Sequence, residues 1–398
     1  MALLRLTFCS VLRTVLLTLC CFHTILSPVA AYHTHGTWID RDNEQMKDVV
    51  LGIGIDLAPT YGTIAISLSN GTTFGVAKID GSEEYKETIH RLSLHCSKHI
   101  APPYDNLGDF WNDIPRQELR KWRKSFGFPA SADLGVLAEM MANLQDRVNH
   151  LLGGISIGSA VVTLPHLAAV YNEDIIDALE HVGLGSCKIW FFDRLLYHST
   201  TAYAGNGLGF CSNFTDAASC LEHSDHAPRD GFLVVLYTPD ALTVAYPIVK
   251  GAYLLWEPLY RIKLSFDLGS KKLLSLQSPE EIEEYWELLK EAILEVPVVR
   301  RYDPPNKIIL LGEIAAVPEL KEKVKGAMAV LTDRDIPILD HDPVYLAARG
   351  AADFAKRAPW TDQWWEIGAN RSRNSTFPIK VPALLKQDLG LAGPRGLD

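Results

Sequence analysis

The 398-residue chain predicts an α/β protein of two lobes, and three observations carry that reading. Val49 to Ile55 is a near-continuous apolar run interrupted by glycines, the pattern of a strand buried on both faces. Ser278 to Val296 spaces Ile282, Tyr285, Trp286, Leu289, Ile293 and Leu294 as the apolar stripe of a helix. The composition, 47% hydrophobic and 22% charged, fills two cores in lobes of about 150 residues each.

Met1 to Ala31 carries Arg5 and Arg13, an apolar stretch from Val15 to Leu26, Pro28 and the small residues Val29-Ala30-Ala31, which read as a secretory signal peptide, with an uncleaved anchor as the alternative. No other segment approaches the ~20 apolar residues of a membrane span. Residues 32–47 form an N-terminal extension. Its His33-Thr34-His35 suits copper only if His33 becomes the first residue, whereas the expected cut leaves Tyr32 there. Asp56 then ends the first strand, Ile64, Ile66 and Leu68 mark a second, and Asn70-Gly71 turns the chain into a third at Phe74, Val76 and Ile79. A tight turn between strands can aim backbone N–H groups at a phosphate while a carboxylate orders hydrated Mg²⁺. Pro59 has no N–H to offer, and the alternative is an ordinary buried hairpin. Leu119, Trp122 and Phe126 among the charges of Arg116 to Lys124 read as an amphipathic surface helix. The acids Glu280, Glu281, Glu283, Glu284 and Glu287 read as a solvated face near a helix N-terminus.

Secretion predicts further features. Asn70, Asn213, Asn370 and Asn374 head glycosylation sequons, and Asn70 sits at a predicted hairpin tip. Cys9, Cys20 and Cys21 leave with the signal peptide, Cys211 and Cys220 bracket a polar loop as the expected disulfide, and Cys187 is expected as a buried free thiol. His223, Asp225, His226 and Asp230 are expected in a solvent-facing loop rather than around a metal. The net charge of −10 without a basic stripe argues against nucleic acid as a partner. No His-Glu-x-x-His or Cys-x-x-Cys supports zincin or redox chemistry. The terminus Gly396-Leu397-Asp398 lacks a retention signal, leaving the endoplasmic reticulum lumen and secretion both open.

Gly54-Ile55-Asp56-Leu57-Ala58-Pro59-Thr60-Tyr61-Gly62 resembles the first phosphate motif of the seventy-kilodalton heat-shock chaperones, in the actin-like ATPase superfamily, where Asp-Leu-Gly-Thr-Thr-Tyr-Ser follows Gly-Ile. Ala160-Val161-Val162-Thr163-Leu164-Pro165 and the helix pattern Asp174 to Val182 resemble its connecting strand and following helix. Ile308 to Pro318 resembles its adenosine motif, and Asp342-Pro343 through Ala352 its last helix. The resemblance covers residues 48–358 and implies a two-lobed actin-like ATPase (ribonuclease H-like) fold with a reduced adenine-covering subdomain. Lobe I would span 48–204 and lobe II 205–358, with a Trp- and Pro-containing irregular tail at 359–398. It further implies ATP or ADP with Mg²⁺ at Asp56, Thr60, Tyr61, Gly312 and Glu313, with Asp56 holding the metal through water.

The same resemblance exposes departures. Leu236-Tyr237-Thr238-Pro239-Asp240-Ala241 stands where the family has Asp-Leu-Gly-Gly-Gly-Thr, so Leu236 replaces a metal-water aspartate. Glu313 replaces a glycine and Ala316 an arginine of the adenosine motif. The family's Asn-Glu-Pro should follow Ile189, yet Asp193 is the nearby carboxylate, and Lys78, Lys98, Lys121 and Lys124 all compete as its catalytic lysine. Phosphoryl transfer rests on positioning and charge neutralisation. The expected function is therefore a secretory-pathway, chaperone-like protein acting through an unidentified protein partner, with weak or no ATP turnover. The alternatives are an ATPase in which Asp56, Thr60, Asp193 and Asp240 reassemble a site, with Asp56 and Asp193 catalytic, and a secreted glycoprotein using the fold as scaffold. The residues after 358 cannot contain the chaperones' peptide-binding domain.

Overall fold

The computed structural model describes residues 50–154, 157–187, 195–253, 262–297 and 304–373. The signal peptide, the N-terminal extension with His33 and His35, Asp193, Asn374 and the tail beyond 373 lie outside them. The chain is an α/β protein built on two large sheets, with a third of two short strands among the described residues. The first half runs β1 (Val50–Leu57), β2 (Tyr61–Leu68), β3 (Thr73–Asp80), α1 (Glu83–Ser93), α2 (Leu107–Ser125), α3 (Ala132–Leu151), β4 (Ser159–Leu164), α4 (Asn172–His181), β5 (Gly185–Ser186), β6 (Leu196–Tyr197) and α5 (His198–Gly205). The second runs α6 (Ala217–His226), β7 (Asp230–Gly231), β8 (Leu233–Tyr237), β9 (Leu242–Ala245), β10 (Ile248–Val249), β11 (Ile262–Ser265), α7 (Ser270–Ser275), α8 (Pro279–Glu295), β12 (Ile308–Leu311), α9 (Pro318–Ala329), β13 (Ile338–Leu339) and α10 (Leu346–Arg373).

The two large sheets share one connectivity. The first is ordered β3-β2-β1-β4-β5, with β6 also beside β4, and the second β11-β9-β8-β12-β13. In each, an opening meander of three antiparallel strands is followed by two strands that join parallel to its first strand. The predicted hairpin is present, with Asp56 opposite Thr63 and the exposed Asn70 at the next turn.

Each sheet has its own core. Ile53, Ile55, Leu57, Ile64 and Ile66 pack with Leu137, Met141 and Leu144 of α3. Leu233, Val235, Tyr237 and Val244 pack with Tyr285, Trp286, Leu289 and Ile293 of α8 and with Leu320 and Val324 of α9. Ser278 caps α8 in a reciprocal box with Glu281, and the acids on that helix face solvent as expected. α5 and α10 meet on small residues: a Cβ on Gly350 would fall 1.8 Å from the Thr201 carbonyl oxygen, so only glycine permits this approach.

Two local expectations change. α10 continues through Pro359 to Arg373, where an irregular tail is expected from 359. Proline removes one intrahelical bond, but Phe354, Ala355 and Ala358 are buried with Cys211, Ala217 and Cys220, which holds the helix on course. Asn370 lies on this helix. His223, Asp225 and His226 lie on α6 rather than in a loop, and no group of three or more His, Cys, Asp or Glu among the described residues could hold a metal ion. α2 is an amphipathic helix, and it is the charged side that is buried: Asp113 and Arg120 are enclosed, while Leu119, Trp122 and Phe126 are exposed.

Cys211 and Cys220 form a disulfide with Cα atoms 5.3 Å apart. Cys187 is buried and free, and burial raises its thiol to about 12. No helix among the described residues is long and apolar enough to cross a membrane.

Candidate functional site

The site lies where the C-terminal ends of β1, β4 and β6 meet the β8–β9 turn and the segment after β12. Parallel pairing puts Asp56 of β1 beside Thr163 of β4, and Thr163 beside Leu196 of β6. The first residue of α5, His198, is thereby carried to the same sheet edge. Its Nε2 approaches Asp56 Oδ1 to 2.5 Å, and both side chains are buried. The approach lacks hydrogen-bond alignment, and Thr60 Oγ1, Thr63 Oγ1 and Ser199 Oγ are likewise buried without a hydrogen bond. Thr163 Oγ1, by contrast, donates to Leu196 O at 3.1 Å and meets Thr201 Oγ1.

His166 stacks on Tyr197 with ring centroids 3.9 Å apart. Burial, and then the proximity of His198, hold its imidazole well below the usual histidine range, so it is neutral at neutral pH. Tyr61 is buried too, and burial together with the charges of Asp56 and Glu313 raises its phenol, which stays protonated. Tyr85 closes the turn by donating to Ala58 O at 2.8 Å.

From the second sheet come the two acids that replace glycines of the resembled motifs. Glu313 pairs with Lys78 of β3 at 2.6 Å, and Lys78 also pairs with Asp80 and lies 5.3 Å above the Tyr61 ring. Burial would lower the Lys78 ammonium, but hydrogen bonds to Asp80 and Glu313 outweigh it and raise it. Asp240 pairs with Lys86 of α1 at 3.6 Å and with Lys271 of α7 at 2.7 Å. Gly312 precedes Glu313 with φ of 98°, and a Cβ there would meet Tyr237 O at 2.3 Å, so this glycine is fixed by backbone packing between β12 and β8.

The structure brings Asp56, Thr60, Tyr61, Gly312 and Glu313 to one region, and Lys78 stands there with them. Lys121 and Lys124 belong to α2, paired with Glu118 and with Asp177 and Glu180. Asp193 lies outside the described residues. Sequence reasoning missed His198, because its identity as the partner of Asp56 rests on strand pairing rather than on a local motif.

The site does not fit Mg²⁺-nucleotide. Asp56 would hold magnesium through a metal-bound water, yet His198 Nε2 already sits 2.5 Å from the Asp56 Oδ1 that such a water would meet. In the β8–β9 turn, Thr238 N–H donates to Ala241 O, Ala241 N–H donates to Thr238 Oγ1, and Pro239 has no N–H. Those donors are spent within the turn, and Asp240 adds negative charge beside them. No family model matches this chain, and no curated protein is significantly similar to it.

Proposed function

We propose that the chain is a degenerate member of the actin-like ATPase superfamily, resembling the nucleotide-binding domain of heat-shock chaperones, that works in the secretory pathway through protein contacts and does not turn over ATP. The shared 3-2-1-4-5 strand connectivity of the two sheets supports the superfamily assignment, as a duplicated ribonuclease H-like unit would have it. The Cys211–Cys220 disulfide, suited to an oxidising compartment, and Asn70 at an exposed hairpin tip support the compartment.

The observation that carries the loss of activity is the contact between His198 and Asp56. On this reading His198, first in the helix after β6, stands where the family's Asn-Glu-Pro glutamate orders metal and water, and it takes the carboxylate that the metal water would need. Calorimetric titration of Mg-ATP and Mg-ADP into the mature chain is expected to give no heat at millimolar nucleotide. Micromolar binding that Asp56→Ala abolishes would overturn the proposal and favour the ATPase reading.

A further inference from the structure

α2 turns its charged face inward. Arg120 reaches Asp174 and Asp177 of α4 at 2.7 and 2.6 Å, Arg116 reaches Glu173 at 2.6 Å, and Lys124 reaches Asp177 and Glu180 at 2.6 Å. The opposite face is apolar and open. Leu107, Trp111, Leu119, Trp122 and Phe126 are all more than half exposed, Trp111 at 65% and Trp122 at 57%. With whole aromatic side chains at about 150–250 Å² each, this stripe offers on the order of 700 Å² per chain. That approaches the roughly 800 Å² per partner of a stable interface, and large exposed apolar patches mark interaction surfaces.

The order of residues identifies the occupant. Leu107 and Phe126, Trp111 and Trp122, and Ile114 and Leu119 are three pairs placed symmetrically about the bond between Arg116 and Gln117. A helix whose apolar stripe reads alike from both ends complements itself when two copies pack antiparallel across a two-fold axis, each member of a pair meeting its counterpart on the other chain. The charge that interrupts the stripe, Glu118, is held by Lys121 at 2.8 Å on the same helix. A lipid surface is disfavoured, because interfacial helices keep free cations for anionic headgroups, whereas Arg116, Arg120 and Lys124 are engaged by α4 and the chain carries a net charge of −10. We propose that the α2 face is an isologous homodimer interface in which Trp111 of one copy packs on Trp122 of the other.

Sedimentation equilibrium on the mature chain is expected to show a dimer at tens of micromolar. Trp111→Glu with Trp122→Glu should leave a monomer whose urea unfolding matches that of the wild type at concentrations too dilute for dimerisation, because both side chains are exposed in the single chain. In a Cys96→Ser background, Leu107→Cys with Phe126→Cys should give disulfide-linked dimers on mild oxidation. The two positions are about 28 Å apart along one helix, so no intrachain bond competes. A monomeric wild type, whether or not it binds phosphatidylserine vesicles, would overturn the proposal. So would a dimer that persists in the glutamate variant, or dimers cross-linked by Leu107→Cys alone, which would require a parallel arrangement.

Discussion

Replacing Arg120 by methionine tests the inverted packing of α2 at its centre. The guanidinium is buried, with side-chain exposure of 8%, and it bonds Asp174 and Asp177, themselves at 7% and 10%. At an effective dielectric of about 20, a charge pair at this separation has a gross attraction of about 6 kcal/mol, largely offset by the desolvation of three ions. Removing the shared partner leaves two buried carboxylates, a change that costs about 3–5 kcal/mol for buried pairs. Asp174 keeps a hydrogen bond from Tyr171 N–H at 2.9 Å and Asp177 keeps Lys124 at 2.6 Å. Both survivors place Arg120→Met at the low end, near ~3 kcal/mol. Urea unfolding at neutral pH, followed by circular dichroism, measures it as a lowered midpoint. The triple variant adding Asp174→Asn and Asp177→Asn removes the stranded charges and should recover most of the loss. A single-variant loss below ~1 kcal/mol, the range of an exposed pair, would refute the reasoning, as would a triple variant no more stable than the single.

Two further outcomes follow from burial and close packing. His166 is neutral in the fold because its imidazole is held well below the ordinary histidine range, whereas the unfolded chain protonates it near pH 6.5. Below that pH the unfolded state binds the extra proton, so stability falls by up to about 1.4 kcal/mol per pH unit. His166→Phe, which keeps a ring against Tyr197, should flatten that limb between pH 6.5 and 5 in urea titrations, and an unchanged limb would assign it to other groups. Gly350→Ala drives a methyl group to 1.8 Å from the Thr201 carbonyl, a backbone atom that only helix separation can relieve. Overpacking of this kind costs about 1–3 kcal/mol or more, and a thermal midpoint within a degree of wild type would show that α5 and α10 are not so closely fitted.

The strands around Asp56 and the helix capped by Ser278 were legible because their signals are local: period, turn residues and capping pairs. The disulfide was legible from spacing and compartment. His198 was not, since nothing within its own segment marks it; only the pairing of Leu196 with Thr163, and of Thr163 with Asp56, brings it to the site. The orientation of α2 was hidden for a different reason. Amphipathic spacing says that two faces differ, and burying hydrophobic residues is the default choice of which turns inward. Here Glu173, Asp174 and Asp177 on α4 supply enough countercharge to draw the cationic face in. Pro359 read as a stop, and tertiary packing of the preceding turn overrides it.

The two acids near Asp56 differ from the α5–α10 crossing in what they can accomplish. Lys78–Glu313 and Lys86–Asp240 are partly exposed pairs, with side chains between 21% and 27% accessible, so each contributes no more than about 1 kcal/mol toward holding the sheets together. The close backbone seating of Gly350 on Thr201 between α5 and α10 leaves no room for even a methyl group there. The acids act instead on any incoming anion. A nucleotide triphosphate would meet Asp56, Asp240 and Glu313 together, with Lys78, Lys86 and Lys271 already engaged by two of them. Releasing a lysine to bind phosphate would strand the carboxylate it leaves, so the gain and the loss nearly cancel. On the proposed reading the acids therefore leave nucleotide with no net gain at this site, and the protein acts through its outer faces instead.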